Sequence, residues 1–79
     1  MALLKKDYIE KINKMRNSVH KPVQATYTVF EEDGKTIFQI DTYGSPEREM
    51  PEKVSQSIQF DEDMAKFLVT ELKKTFSWK

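Results

Sequence analysis

One stretch decides the fold: Gln24-Ala-Thr-Tyr-Thr-Val-Phe-Glu-Glu-Asp33-Gly34-Lys-Thr-Ile-Phe-Gln-Ile-Asp-Thr-Tyr43. Two runs of β-branched and aromatic residues flank Asp33-Gly34, a dipeptide that favours the positive φ angles of a two-residue type I′ turn. With the turn at these two positions, Val29 lies opposite Phe38 and one face of the ribbon becomes mostly apolar. The stretch therefore predicts a β-hairpin with strands at about 23–32 and 35–43.

A third strand is predicted at about 54–60, where Val54-Ser-Gln-Ser-Ile-Gln-Phe60 alternates between apolar and polar residues. Val54, Ile58 and Phe60 are expected on one side of it. The predicted apolar face comprises Tyr27, Val29, Phe38, Ile40, Ile58 and Phe60. The predicted polar face comprises Gln24, Thr26, Thr28, Phe30, Ile37, Gln39, Asp41, Tyr43, Ser55, Ser57 and Gln59.

Two helices are predicted to flank these strands. An amphipathic stripe predicts the first helix over about 3–18; it consists of Leu4, Tyr8, Ile12, Met15 and Val19. Asp61 has the character of an N-cap for a second helix over about 62–76. The expected fold class is α+β in the order α-β-β-β-α, a single domain over 1–79. Its three-stranded antiparallel meander is expected to carry both helices on the apolar face.

Composition limits the chemistry that this chain is expected to perform. It has 79 residues, one histidine, two glycines and no cysteine, so neither a His/Cys zinc set, a Cys-His pair nor a glycine-rich phosphate loop is expected. We predict no enzymatic activity, cofactor, catalytic residue or metal site. No apolar run approaches the length of a membrane span, and a cytoplasmic protein without a membrane partner is expected.

Charge is balanced overall but unevenly distributed. The chain carries 13 basic and 13 acidic residues; residues 1–22 contain six basic and two acidic residues, whereas 23–49 contain two basic and six acidic ones. Overall neutrality argues against strong nonspecific binding to polyanions, because phosphate neutralisation dominates that affinity.

The polar face is the predicted binding platform. Aromatic side chains on an open sheet can stack bases, while Gln, Ser and basic residues can bond base edges and phosphates. The candidate binding residues are Phe30, Lys35, Gln39, Tyr43, Arg48, Lys53, Ser55, Ser57 and Gln59. Two functions stay open: single-stranded nucleic-acid binding, and a protein-interaction module that acts as a homodimer, an adaptor or an inhibitor blocking a surface.

The segments Phe38-Gln-Ile-Asp-Thr-Tyr43, Pro46-Glu-Arg-Glu-Met-Pro51, Lys53 and Ser57-Ile-Gln-Phe-Asp-Glu62 resemble the transcriptional positive cofactor four family. That resemblance implies a dimer that holds single-stranded DNA, with Tyr43, Arg48 and Lys53 as contacts. The chain departs from the family's pattern in its N-terminal helix and in a first strand without basic residues.

Two further resemblances concern smaller features. The element order is similar to that of double-stranded-RNA-binding domains, but Asp61-Glu62-Asp63 stands where that family has a lysine-rich turn, so this RNA function is not expected. The block from Phe38 to Gln59 is also similar to short stand-alone proteins of bacteria and phages, which is compatible with a small inhibitor or adaptor.

Overall fold

The structure is a computed structural model that describes residues 1–44 and 53–79. Within these ranges the chain forms strands β1 (Ala2–Leu4), β2 (Ala25–Glu32), β3 (Lys35–Tyr43) and β4 (Val54–Phe60), followed by helix α1 (Glu62–Thr75). The strands make one sheet in the order β1-β4-β3-β2. The α+β class and the small single domain are confirmed.

The predicted hairpin is confirmed in both turn and register. Asp33 and Gly34 have φ angles of 52° and 75°, the left-handed values that a type I′ turn requires. Val29 lies opposite Phe38 and Tyr27 opposite Ile40. The turn therefore places Tyr27, Val29, Phe38 and Ile40 on one face, as the alternation predicts, and Phe30 and Ile37 on the other.

The predicted first helix at about 3–18 is wrong. Residues 2–4 form β1, which pairs in parallel with β4 and sets Leu3 opposite Gln59. A single 3-10 turn follows at Lys6–Tyr8, and residues 9–24 have no regular secondary structure. A short isolated helix is marginal without a surface to bury its stripe, whereas β1 gains backbone hydrogen bonds from the free edge of β4.

The three-stranded meander is therefore corrected to a four-stranded mixed sheet. β2, β3 and β4 are antiparallel neighbours as predicted, and β1 adds a parallel edge strand. The two-helix arrangement is also wrong, because α1 is the only α-helix in residues 1–44 and 53–79. The first of the two helices expected to pack on the apolar face is therefore absent from the described residues.

A register irregularity changes the start of β4. The pairing shifts between Thr42 and Tyr43, so that Val54 lies opposite Tyr43. An extra residue in one strand interrupts the alternation of side chains. Val54 therefore pairs with a residue of the polar face and does not continue the line of Ile58 and Phe60 as predicted.

The helix boundary at Asp61 is confirmed. Its carboxylate oxygen Oδ1 accepts a hydrogen bond from the backbone N–H of Met64 at 3.0 Å, which satisfies one of the free donors of the first helical turn. The helix ends at Thr75, and the N–H of Phe76 donates to the carbonyl of Leu72. Lys73 and Lys74 lie in the last turn, where cations are favourable.

The hydrophobic core is very small. Met64 is the only buried hydrophobic residue in the part of the chain that the structure describes. The accessible surface is 7485 Å², whereas a compact monomer of 9.3 kDa exposes roughly 5,000 Å². The Cα radius of gyration, 14.9 Å, likewise exceeds the roughly 12 Å of a compact domain this long. A single chain thus exposes more surface than a compact domain of its mass.

Candidate interaction surface

An aromatic ladder crosses the apolar face of the sheet. We use this name for Tyr27 on β2, Phe38 on β3 and Phe60 on β4. The ring centroids of Tyr27 and Phe38 lie 5.3 Å apart with an interplanar angle of 9°, and those of Phe38 and Phe60 lie 5.2 Å apart at 23°. Such pairs contribute about 0.5–1.5 kcal/mol beyond their buried area. The ladder therefore holds its rings in a fixed arrangement across three strands.

The ladder is open at the β2 edge of the sheet. Tyr27 is 70% exposed and Val29 is 58% exposed, while Phe38 and Phe60 are half-buried. Large apolar side chains grouped on a flat, rigid surface are typical of a binding surface. The exposed end of the ladder is therefore the strongest candidate site on the sheet.

A hollow beside the ladder brings β2, β3 and the start of α1 together. Val29, Phe38, Phe60 and Ala65 provide apolar groups to its wall. Its charged lining residues are Lys5, Lys35, Asp61, Glu62 and Asp63. Acidic groups outnumber basic ones here, so the hollow favours a basic or neutral partner over a phosphate.

One ion pair connects Lys5, the residue that follows β1, to Asp61 at the start of α1. The Nζ atom of Lys5 donates to Oδ2 of Asp61 at 2.6 Å. This hydrogen bond and the lysine's charge, together with the N–H of Met64, hold the pKa of the Asp61 carboxyl below its ordinary value of 3.8. The same hydrogen bond and the carboxylate charge raise the pKa of Lys5 above 10.5. Because Lys5 is engaged with Asp61, it is a weak candidate for binding phosphate.

The polar face satisfies many of its own hydrogen-bonding groups. Gln59 donates from Nε2 to Oε1 of Gln39 at 2.7 Å, and Gln39 donates to both carboxylate oxygens of Asp41 at 3.0 and 3.1 Å. The hydroxyls of Thr26 and Tyr43 lie 3.0 Å apart and share a hydrogen bond. This face has an internal network centred on a carboxylate, which leaves fewer groups for an anionic ligand.

The structure places the sequence-predicted site residues in several environments. Phe30, Gln39, Tyr43 and Gln59 are half-buried, Ser57 is buried, and Lys35, Lys53 and Ser55 are exposed. Gln39 and Gln59 are brought together, whereas Lys35 lines the hollow on the apolar side. Arg48 lies outside the described residues. Lys53 directly precedes Val54, which lies opposite Tyr43, so of the predicted basic site residues that the structure describes only Lys35 is placed at the hollow beside the apolar face.

Sequence reasoning missed the aromatic ladder as a candidate site. The sequence pattern assigns its residues to a buried core, because it predicts a helix at about 3–18 that covers them. The alternation already placed Tyr27 and Phe38 on one face, so the signal was present. What the pattern did not indicate is that residues 3–18 form no α-helix to pack on this face.

A second exposed apolar feature lies in residues 9–24, which we call the crossing segment because it connects the β1 side of the sheet to β2 at the other edge. Three of its apolar residues, Ile12, Met15 and Val19, are 66%, 98% and 100% exposed. The segment also carries Lys11, Lys14, Arg16 and Lys21 against the single acidic residue Glu10. It is thus an amphipathic, basic stretch without a partner surface in the described chain.

Comparisons of the chain with protein-family models, curated proteins and solved structures gave no match. Within residues 1–44 and 53–79, no helix has the length and apolar character needed to cross a membrane. The same ranges contain no group of three or more His, Asp or Glu side chains placed to hold a metal ion. The surface itself must therefore support any functional proposal.

Proposed function

We propose that this chain is a non-catalytic protein-interaction module whose binding surface is the open end of the aromatic ladder. The observation that carries the proposal is the exposure of Tyr27 and Val29 beside an ordered aromatic stack, in a chain whose described part buries only Met64 among its hydrophobic residues. Apolar surface removed from water contributes roughly 25 cal/mol per Å². A protein partner would supply the burial that the single chain lacks.

The composition of the surface fits a protein partner. Tyrosine and phenylalanine are enriched in protein interfaces, and their anchors are typically surrounded by a polar rim. Here the ladder supplies the aromatic anchors, and Lys35, Asp61 and Asp63 supply charged groups at the adjoining hollow. The sheet backbone keeps these groups in place, which lowers the entropy lost on binding.

The excess of acidic groups at the hollow favours a protein over a nucleic acid. Asp61, Glu62 and Asp63 lie at the start of α1, and Glu31 and Glu32 end the strand that carries Tyr27. Phosphates brought to the ladder would meet these carboxylates. A partner that presents basic side chains around an apolar stripe would meet complementary charge.

Single-stranded nucleic acid is the second candidate, favoured by one observation. An exposed tyrosine ring on a sheet can stack a base, and Tyr27 is such a ring. The resemblance to the positive cofactor four family points to the same ligand class. If phosphates are contacted, the affinity should fall with salt with a log–log slope of about −0.7 per phosphate.

Affinity capture with a matched pair of variants tests the proposal. Tagged protein is incubated with nuclease-treated lysate of its source cells, using wild type, Tyr27→Gln and Thr28→Gln. The two variants introduce the same side chain at neighbouring positions of β2 that point to opposite faces. We expect one protein band that wild type and Thr28→Gln retain and Tyr27→Gln loses, with circular dichroism confirming that all three are folded.

A titration with a fluorescent oligonucleotide at low salt separates the two candidates. Binding in the micromolar range that Tyr27→Gln abolishes, together with no protein retained after nuclease treatment, would overturn the protein-interaction proposal and support nucleic-acid binding. Absence of oligonucleotide binding at tens of micromolar would remove the second candidate.

A further inference from the structure

We propose that the protein partner is a second copy of this chain, and that the crossing segment of each copy packs on the aromatic ladder of the other. The inference rests on the proposed function, since it concerns the same surface. It identifies the protein that binds there. It explains why the apolar side of residues 9–24 and the ladder are both exposed in a single chain.

The amount of unburied surface matches what an obligate dimer needs. The chain exposes 7485 Å², about 2,500 Å² more than a compact monomer of its mass. Obligate homodimers bury about 2,000–5,000 Å² in total, or about 1,000–2,500 Å² per chain. Two chains that each bury this excess would reach the compactness of an ordinary small protein.

Charge is complementary between two copies. The crossing segment has four basic residues and one acidic residue. The hairpin tip carries Glu31, Glu32 and Asp33 beside Lys35, and the start of α1 carries Asp61, Glu62 and Asp63, of which Asp61 pairs with Lys5. In an interface with two-fold symmetry each contact occurs twice. Each basic segment would therefore meet the acidic region of the other chain.

The crossing segment has the pattern of an interface helix. Ile12, Met15 and Val19 recur at helical spacing in it, and an amphipathic helix laid on an apolar groove is a common recognition mode. The segment can form a stable helix once a surface buries its apolar side. The aromatic ladder, with Val29 beside it, is an exposed apolar surface of the required kind.

A second copy accounts for more exposed surface than closure within one chain. If residues 9–24 folded over their own sheet, they would cover one face only. The apolar residues of α1 and its C-terminal flank would stay exposed; these are Val69, Leu72, Phe76 and Trp78. A second chain can cover the ladder with its segment and also approach α1, which favours association over closure.

Sedimentation velocity over a range of concentrations provides the first test. Wild type is expected to sediment as a species with twice the 9.3 kDa mass of one chain. Ile12→Gln is compared with Asn13→Gln, which introduces the same side chain at the neighbouring position of the segment. We expect Ile12→Gln to raise the dimer dissociation constant by about tenfold or more, and Asn13→Gln to leave it unchanged.

Single-cysteine variants identify the contact, because the chain has no cysteine of its own. Met15→Cys protein is mixed with Val29→Cys protein, equilibrated and oxidised with copper phenanthroline. We expect a mixed disulfide between the two chains, identified by mass spectrometry. The control pairs Met15→Cys with Thr28→Cys, on the other face of β2, and should give little mixed disulfide.

The outcomes distinguish this inference from the proposed function. A dimer with the Met15–Val29 disulfide supports both. A monomer that forms no disulfide, either in the mixture or in the double variant Met15→Cys/Val29→Cys, overturns the second-copy proposal and leaves the ladder open to another protein. A monomer in which the double variant forms an internal disulfide shows that the segment covers its own sheet, and this overturns both.

Discussion

At the scale of single residues, the turn at Asp33 and Gly34 determines the strand register on which the aromatic ladder depends. Both residues have left-handed backbone conformations, and a β-carbon added at Gly34 would meet no atom within 4 Å. Any cost of replacing this glycine therefore arises from the backbone angle and not from a collision. The turn sets the register that aligns Tyr27 and Phe38.

We predict that Gly34→Ala lowers the free energy of unfolding by about 1–2 kcal/mol, the cost of a left-handed conformation for a residue with a β-carbon. Urea denaturation at a fixed protein concentration measures the change. Lys35→Ala, one position away in β3, is the control and is expected to have a smaller effect. Equal stability of Gly34→Ala and wild type would show that the turn relaxes.

A second residue-scale prediction concerns pH and Asp61. Its lowered pKa means that the folded state binds its proton less tightly than the unfolded state, so its contribution to stability is present above pH 3.8 and disappears as the pH falls further. Lys5 has a raised pKa, so its contribution is present below pH 10.5 and disappears as the pH rises through the higher folded value.

Asp61→Asn and Asp61→Ala separate the roles of this side chain. Asparagine keeps a good N-cap acceptor but loses the charge that pairs with Lys5, whereas alanine loses both. We expect the melting temperature to fall in the order wild type, Asp61→Asn, Asp61→Ala at neutral pH, and to differ less between wild type and Asp61→Asn near pH 2. Identical melting curves for all three would contradict the role of the cap.

At the scale of elements, the N-terminal region shows how two patterns compete. Residues 3–18 carry a helical stripe, yet residues 2–4 pair with β4 as a strand. β-pairing requires only a short apolar run and a free sheet edge. A helix of this length requires a surface for its apolar side, and residues 9–24 of the single chain pack on none.

We predict that the crossing segment becomes helical when the protein dimerises. The mean residue ellipticity at 222 nm should therefore become more negative as the protein concentration increases. Lys14→Pro would prevent helical geometry at the preceding residue and should weaken the dimer. Lys14→Ala removes the same side chain without this constraint and is the control. Equal dimer dissociation constants for the two variants would show that the segment docks in an extended form.

At the scale of the whole molecule, stability should depend on association. The described chain buries one hydrophobic residue fully, Met64, which is a small core for a domain of 79 residues. If the proposed dimer forms, most of the apolar burial that offsets chain entropy occurs between molecules. Folding and association would be coupled in such a protein.

The corresponding prediction is that the urea midpoint rises with protein concentration. For a folded dimer that unfolds to two chains, each tenfold increase in concentration adds about 1.4 kcal/mol per dimer to the apparent stability. Circular dichroism at several concentrations between about 1 and about 100 µM measures this effect. A midpoint that does not change over this range would identify a monomer that is stable on its own.

The hairpin, the third strand, the Asp61 cap and the second helix could all be predicted from the sequence. Each of these features depends on residues close to one another in the chain: Asp33-Gly34 sets the turn, and Asp61 sets the helix start. The predicted platform rested on the polar alternation of these same strands. The first helix was expected to cover the apolar face and leave the polar face open. Whether that helix forms depends on distant parts of the chain, so nearby residues do not predict it.

The amino-acid sequence by itself determined the turn, the strand alternation and the second helix, because local backbone preferences and side-chain spacing act over a few residues. Only the tertiary structure decided that Leu3 pairs with Gln59 across the chain and that Tyr27 faces solvent. Both outcomes depend on which distant surfaces are available for pairing and burial. That availability is a property of the folded chain as a whole.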